Sequence, residues 1–481
     1  MILYKSLKKN KMKKIIYLLI ALAFMGCNEF LDVDSNDLLI PKDVEEYSDL
    51  LFAEAHLKGD IMWMGRVMCD DVKSYQASSF FGGATQLSSF TDDYFGYYTW
   101  QQNPEYSRTG KLVNDETWTA LYRSIVICNT VINDYDKIEG DDHKKEYLKA
   151  EAHFLRAIDY FYLVNFYAPE YAPENLSKKG VPINDKSNIE VRTYVRNTIK
   201  EVYDKITSDL ISAEKLLKTA EYKETIFNLN YASLYQFMSR VYLYMKDYDN
   251  VIKYAGLSLN YNNSLVNLNS APDFVFNNKN NEINFCHLEQ RSKYPSPQAQ
   301  QNITITPSDA LMSSYSENDL RKTQFFVETY PPMGQPYLQS SKLNRQNIYN
   351  NCFRVAEVYL NRAEAYAEKQ LFSDCVNDLN TLRANRLSSD YEVSASNKTQ
   401  AIDLVKAERR RELCYELHRW FDLRRWGKPS FDHVIININE TTSTYRIEKN
   451  DPAYILPLPV ETKVLNPNMK DYPNPVRQSV N

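Results

Sequence analysis

The chain has 481 residues, a formal net charge of −5 and 43% hydrophobic residues, enough for two or three domains or one large helical array. A mean hydropathy of −0.52 excludes a polytopic membrane protein. Glycine numbers only 12, which leaves few phosphate-cradling loops, whereas 37 tyrosines suit helix packing or a stacking surface.

The N-terminus reads as a targeting segment. Lys5, Lys8, Lys9, Lys11, Lys13 and Lys14 precede an apolar run from Ile15 to Met25 that is too short to span a bilayer, and Gly26 and Cys27 follow. Met12 is an alternative start. Phe24-Met25-Gly26-Cys27 resembles a bacterial lipobox with Phe24 in place of the usual leucine. Residues 1–26 are therefore expected to be removed and Cys27 to be lipidated. That removal takes six lysines and no acids, so the mature chain carries −5 − 6 = −11, a sign that disfavours nucleic acid. Six cysteines remain, and none lies two residues from another, so no zinc or redox pair is legible. Cys128, Cys352, Cys375 and Cys414 fall in helical patterns and read as buried small hydrophobes. A disulfide is compatible with export, but the sequence does not choose a pair.

Residues 61–117 hold Gly65, Gly82, Gly83, Gly96 and many aromatics without a long helical stripe. Within them DDYFGYYTWQQNPEY, Asp92 to Tyr106, sets rings beside amides. Tyr94, Tyr97, Tyr98 and Trp100 offer faces for sugar stacking, and Gln101, Gln102 and Asn103 offer hydrogen bonds to hydroxyls. Amphipathic helices follow with the 3.6-residue period. Trp118 to Ile132 is the first and 145–167, closed at Ala168-Pro169, the second. Arg192 to Leu217 and Leu229 to Tyr244 come next, and a turn at Lys246-Asp247 leads into a fifth. Residues 353–369 and 372–386 form another helix pair. Small residues (Ala150, Ala152, Ala157, Ala363, Ala365, Ala367) suit tight crossings, and the whole resembles a tetratricopeptide array. Long irregular segments, 260–350 and 429–481, interrupt it.

The run ERRRELCYELHRWFDLRRWGK, Glu408 to Lys428, concentrates seven basic residues. On one helix from Glu408 to Trp426, Leu413, Leu417, Trp420, Phe421 and Arg424 share a face. Each acid then has an arginine three positions away: Glu408 with Arg411, Glu412 with Arg409, Glu416 with Arg419, and Asp422 with both Arg419 and Arg425. Arginines with local carboxylate partners are scaffold rather than phosphate ligands. Catalytic signatures are missing. No two histidines stand at HExxH spacing, no Walker or Gly-x-Ser-x-Gly motif occurs, and the pairs Asp70-Asp71 and Asp92-Asp93 are merely adjacent. The chain is expected to bind rather than to catalyse.

ERRRELCYELHRWFDLRRWG is similar to the signature of SusD/RagB-type outer-membrane lipoproteins. CNEFLDVD, WTALYRSIVICNTVIND, AEAHFLRAIDYFYLVNFYAPEY, NEINF, NDLR, FRVAEVYLNRAEAYAE and LPLPVETKVLNPN agree with that family in the same order. The family often has glycine where Ala168 stands and Gln-Asn where Lys470-Asp471 stand. The resemblance implies a mainly α, tetratricopeptide-like array with long loop insertions over residues 27–481, helical at about 118–260 and 353–426. It implies a lipid-anchored outer-membrane protein at the cell surface, without a cofactor or metal. Such a protein captures oligosaccharide, or alternatively peptide, and passes it to a SusC-like TonB-dependent transporter; it can also serve mainly as a structural lid. Family ligands are held by aromatics in early and middle loops, which adds Trp63, Tyr294, Tyr330 and Tyr337 to Tyr94, Tyr98, Trp100, Gln101 and Asn103.

Overall fold

Helices carry the architecture in this computed structural model, which describes residues 41–56, 61–74, 89–113, 115–187, 193–270, 279–286, 305–330, 336–342, 352–437, 441–472 and 474–480. The main ones are α1 (Val44–Glu54), α2 (Ser89–Tyr98), α3 (Thr117–Asn133), α4 (Asp142–Tyr167), α5 (Ile199–Leu217), α6 (Tyr231–Met245), α7 (Tyr248–Tyr261), α8 (Val355–Glu368), α9 (Phe372–Ala384), α10 (Lys398–Leu413) and α11 (Arg419–Arg425). All belong to the unit Asp43–Asn481. Helix α3 packs on α4, α4 on α5, α6 on α7, and α8 on α7, α9 and α10. No pair buries its apolar face alone, so the pairs stack as a tetratricopeptide-like array.

Local signals set the helix limits. Asp141 caps α4 by accepting from the His143 and Lys144 amides at 2.9 and 3.1 Å. Thr198 with Glu201, and Asn230 with Ser233, form capping boxes on α5 and α6. Lys246, at φ 61°, ends α6 in the left-handed region, and Asp247 caps α7 from there. From Phe154 to Tyr167 every residue of α4 is buried, which marks it as the central helix. Its Phe154 meets Phe237, Phe285 and Phe353 at 5.9, 5.3 and 6.3 Å between ring centroids. The six alanines expected at tight crossings are all at 0% exposure.

Among the described residues, four antiparallel strand pairs lie between the helices. Their strands are β1 (Val72–Ser74), β2 (Ile283–Phe285), β3 (Ile305–Pro307), β4 (Phe326–Thr329), β5 (Tyr337–Ser340), β6 (Phe353–Arg354), β7 (Phe431–Ile436) and β8 (Thr442–Ile447). The pairs are β1–β3, β2–β6, β4–β5 and β7–β8. Because β1 also adjoins β7 and β3 adjoins β5, three of the four pairs gather beside one another.

Several sequence expectations change. The helix expected from Arg192 starts at Ile199, because Gly180 donates to the Asn197 carbonyl and Asn197 to the Val181 carbonyl, holding that stretch extended. The segment expected to be irregular at 61–117 contains α2, and that at 429–481 contains the β7–β8 hairpin. Phe353 and Arg354 are strand rather than helix, and the helix expected from Glu408 begins earlier, at Lys398. The single helix from Glu408 to Trp426 is broken between α10 and α11, where Tyr415 and Leu417 take φ of 63° and 67°. Side chains claim the carbonyls a continuous helix would use: Lys342 Nζ donates to Glu412 O at 2.7 Å and Cys414 O at 3.2 Å, and Arg66 Nε to Tyr415 O at 2.8 Å.

The break re-pairs the arginines. Glu408–Arg411 and Asp422–Arg425 form as expected, at 2.7 and 2.8 Å. In place of the other local pairs, Arg409 reaches Asp422 at 2.9 Å, Arg410 reaches Asp71 at 2.7 Å, and Arg419 reaches Asp70 at 2.7 Å. Arg425 also binds Glu364. Glu412 sits among Arg354, Arg386 and Arg321 at 2.9, 2.9 and 3.1 Å. Arg354 and Arg386 also hold Glu282, at 2.8 and 2.6 Å, and Arg321 holds Asp319 at 2.8 Å. These three arginine side chains are wholly buried. The arginines are indeed scaffold, but as a buried long-range network rather than exposed pairs on one helix.

Candidate functional site

Helix α2 carries the residues singled out for ligand stacking, and its period turns most of them inward. Tyr94, Tyr97 and Tyr98 stand at i, i+3 and i+4, one face of a helix, and that face is core. Tyr94 and Tyr97 pack on Trp63 at 4.1 and 5.0 Å. Tyr97 donates to Asp115 at 2.5 Å. Tyr98 accepts from the Ser74 amide at 2.8 Å and donates to the Val434 carbonyl at 3.3 Å, tying α2 to β1 and β7. Trp100 donates from Nε1 to Met68 O at 3.0 Å. Gly96 permits the close return of the following loop: a Cβ there would lie 2.2 Å from the Pro104 carbonyl oxygen.

Those contacts correct the expected ring platform. Trp63, Tyr94, Tyr98 and Trp100 are 2%, 9%, 3% and 2% exposed, so their faces meet protein, not a sugar. His433 of β7 stacks with both Tyr98 and Trp100, at 4.1 and 4.4 Å. Its ring nitrogens lie 2.7 Å from Tyr98 O and 3.0 Å from Cys69 O. Burial pushes its pKa down to about 4, although both carbonyls and the nearby carboxylates pull the other way. Tyr337 is buried as well, whereas Tyr330 is 71% exposed with its hydroxyl on Glu328. Gln101 is half-buried and donates to Thr99, and Asn103 is exposed. Tyr294 and Cys27 lie outside the described residues.

A different set of groups reaches the surface where α2 meets the β7–β8 hairpin. Phe95, three residues before Tyr98 and packed against the same apolar cluster, meets Tyr445 of β8 edge-to-face at 5.6 Å and 88°. The Arg108 guanidinium lies 4.9 Å over the Phe95 ring. Arg108 donates from Nη1 to Asn437 Oδ1 at 3.2 Å, and Asn437 donates onward to Ser443 Oγ at 3.0 Å and Thr441 Oγ1 at 3.2 Å. All four residues, Phe95, Arg108, Asn437 and Tyr445, are half-buried, and Arg108 Nε has no partner among the described residues. Two rings, a fixed guanidinium and an oriented amide make a surface suited to a polyhydroxylated ligand. The sequence reading missed this set. Phe95 borders the tyrosine stripe of α2, three residues before Tyr98, so helical spacing alone does not mark it as exposed. Arg108, Asn437 and Tyr445 carried no local signal.

Beneath this surface the adjacent acids Asp70 and Asp71 are occupied by Arg419 and Arg410. Burial and the Asp70 charge raise Asp71 to about 6, against the pull of both arginines. Among the described residues, no group of three His, Cys, Asp or Glu side chains could hold a metal ion, and no helix is long and apolar enough to cross a membrane.

Two family models match in succession. Residues 29–243 match one described as "Starch-binding associating with outer membrane", and residues 274–475 match the SusD family. A relative, SusD-like protein P2 of Formosa agariphila, is 22% identical over 411 residues, covering 73% of this chain and 78% of that protein. A SusD superfamily protein from Bacteroides thetaiotaomicron has a similar structure, with a TM-score of 0.72 at 20% identity over 90% of this chain and 100% of that one. A SusD-like carbohydrate binding protein from Bacteroides vulgatus gives a TM-score of 0.67 at 18% identity, covering 89% and 97% of the two chains. Signature, helical array and successive matches over both halves agree: the chain belongs to the SusD/RagB family.

Proposed function

We propose that this protein captures oligosaccharide at the cell surface and hands it to a SusC-like TonB-dependent transporter, held to the outer membrane by a lipid on Cys27. The observation that carries the binding step is the half-exposed set Phe95, Tyr445, Arg108 and Asn437. Rings that stack on apolar sugar faces and amides that bond hydroxyls are the two requirements of glycan recognition. Exposed Tyr330 and Asn103, with Gln101, extend the same chemistry. The starch-binding description of the matched family and a structurally similar protein described as carbohydrate binding support a glycan over a peptide. The membrane link rests on the lipobox and on the outer-membrane association named for the matched family. Capture without conversion fits Asp70 and Asp71, which are committed to Arg419 and Arg410.

The test is calorimetry on the mature chain without its lipid, against malto-, cello- and xylo-oligosaccharides and a tryptic peptide mixture. For the ligand that binds, Phe95→Ala and Tyr445→Ala each weaken affinity about tenfold, the loss of one stacking contact of about 1 kcal/mol or slightly more. Unaltered affinity in both variants sinks the site, and binding to peptide alone replaces glycan with peptide.

A further inference from the structure

We propose that Cys286 and Cys352 are joined by a disulfide in the exported protein, fastening β2 to β6 at the point where both strands leave the core. The ladder between these strands pairs Phe285 with Phe353. The register shifts between Ile283 and Phe285; continued one residue beyond the Phe285–Phe353 pair, where the strands end, it brings Cys286 opposite Cys352. Opposed residues in such a ladder have Cα atoms about 4.5–5.5 Å apart, inside the roughly 4.4–6.8 Å that a disulfide spans. Both side chains are buried, at 0% and 7% exposure, and the two thiols hydrogen-bond each other.

The surroundings hold this geometry. The Cys286 amide donates to the Ile226 carbonyl at 2.7 Å, and the Phe285 and Phe353 rings pack at 5.5 Å just inside. Both cysteines belong to one apolar cluster with Ile283, Leu268 and Phe325. The remaining thiols are placed differently. Cys69 and Cys414 lie against backbone carbonyls, Arg66 O at 3.2 Å and Arg411 O at 3.5 Å, while Cys128 and Cys375 sit within α3 and α9. The pair that the sequence left open is thus selected by strand register.

Bond formation consumes one disulfide oxidant. A thiolate of the pair attacks a sulfur of the oxidant and expels one oxidant thiol. The second cysteine then attacks the mixed disulfide and expels the other. Two protein thiols are oxidised to one S–S bond, one oxidant disulfide is reduced to two thiols, and the two protons end on those thiols. Burial holds the Cys286 thiol protonated in the folded chain, so the exchange belongs to folding after export, and the finished bond is shielded from reductants. The cross-link closes the chain between residues 286 and 352, a span that contains Tyr330 of the proposed ligand surface. In cells it rests on the export reading, so the experiment separates the two.

Residues 28–481, which leave out the lipid-bearing Cys27 and hold six cysteines, are refolded in an oxidised/reduced glutathione buffer, then unfolded with and without reductant for thiol counting. Four of the six thiols titrate without reductant, six with it, and peptide mass spectrometry recovers Cys286 joined to Cys352. The oxidised form melts several degrees above the reduced form. The double variant Cys286→Ala/Cys352→Ala folds by circular dichroism and melts at one temperature in either buffer. Six thiols in the oxidised sample, or a bridge through another pair, overturns the assignment. Protein trapped by alkylation at cell lysis gives the cellular answer. A bridge in the envelope fraction supports the proposal, reduced thiols there overturn it, and reduced protein in the cytosol counts against export while the refolding arm still decides the pairing.

Discussion

Arg354 donates from Nη1 to Glu412 Oε1 across 2.9 Å, with both side chains wholly excluded from solvent. Glu412 answers Arg386 and Arg321 as well, so its removal leaves three buried cations short of a counter-charge. Glu412→Ala is expected to cost about 3–5 kcal/mol in urea unfolding. A loss under about 1 kcal/mol would mean that solvent reaches the network. The same network weakens in acid. Burial disfavours the charge on Glu408, but Arg321, Arg411 and Arg383 still hold its pKa down to about 2, and Glu412 is likewise held well below the usual carboxylate range. With folded pKa values below the unfolded ones, this stabilisation is present above about pH 4.5 and lost as pH falls toward 2.

His433 gives a pH prediction in a higher window. Burial lowers its pKa to about 4, so the unfolded chain takes up the proton first as pH falls through 6.5. Stability from a neutral His433 is present above pH 6.5 and declines toward pH 4, by on the order of 3 kcal/mol. Glu105 and Glu151, which burial pushes up to about 7, work in the opposite sense, losing stability as pH rises from 4.5 to 7. They are common to wild type and variant. The difference between wild type and His433→Gln therefore narrows from pH 7 to pH 4 in chemical denaturation, and a constant difference would show that His433 does not titrate there.

Trp100→Ala and Trp420→Ala both remove fully buried rings. Trp100 spans His433, Phe431 and Met68 O, and Trp420 stacks on Tyr454 at 4.9 Å and 17°. Each truncation is expected to cost about 3–5 kcal/mol. Trp420→Phe costs less, because the indole Nε1 has no partner among the described residues and its loss forfeits no hydrogen bond. A Trp100→Ala protein of unchanged melting temperature that has lost ligand binding would return Trp100 to the ligand surface.

Cys27→Ala is expected to abolish acylation and leave the precursor unprocessed or the product released from the membrane. Metabolic labelling with a fatty-acid probe and fractionation read the outcome. Retained label in the variant would place the lipid elsewhere.

The sequence by itself determined the helical array. The period of Trp118 to Ile132, the acid and amide caps, and Lys246-Asp247 act within a few residues of one another, so their outcome is written locally. It also determined that the arginines are structural, because acids accompany them. Which acid meets which arginine was decided by tertiary structure. NEINF, NDLR, Phe353-Arg354 and the RRREL run lie far apart in the chain, yet Glu282, Arg321, Arg354 and Glu412 converge in one dry network. A backbone break at Tyr415 and Leu417, held open by Lys342 and Arg66, makes that convergence possible. The ligand surface divides the same way. Tyrosine and tryptophan stack equally well on a sugar or in a core, so composition located the aromatic stretch but not its exposed side. That was set by the packing of α2 against Trp63 and His433, which turned Tyr94, Tyr98 and Trp100 inward and left Phe95 beside Tyr445 at the surface.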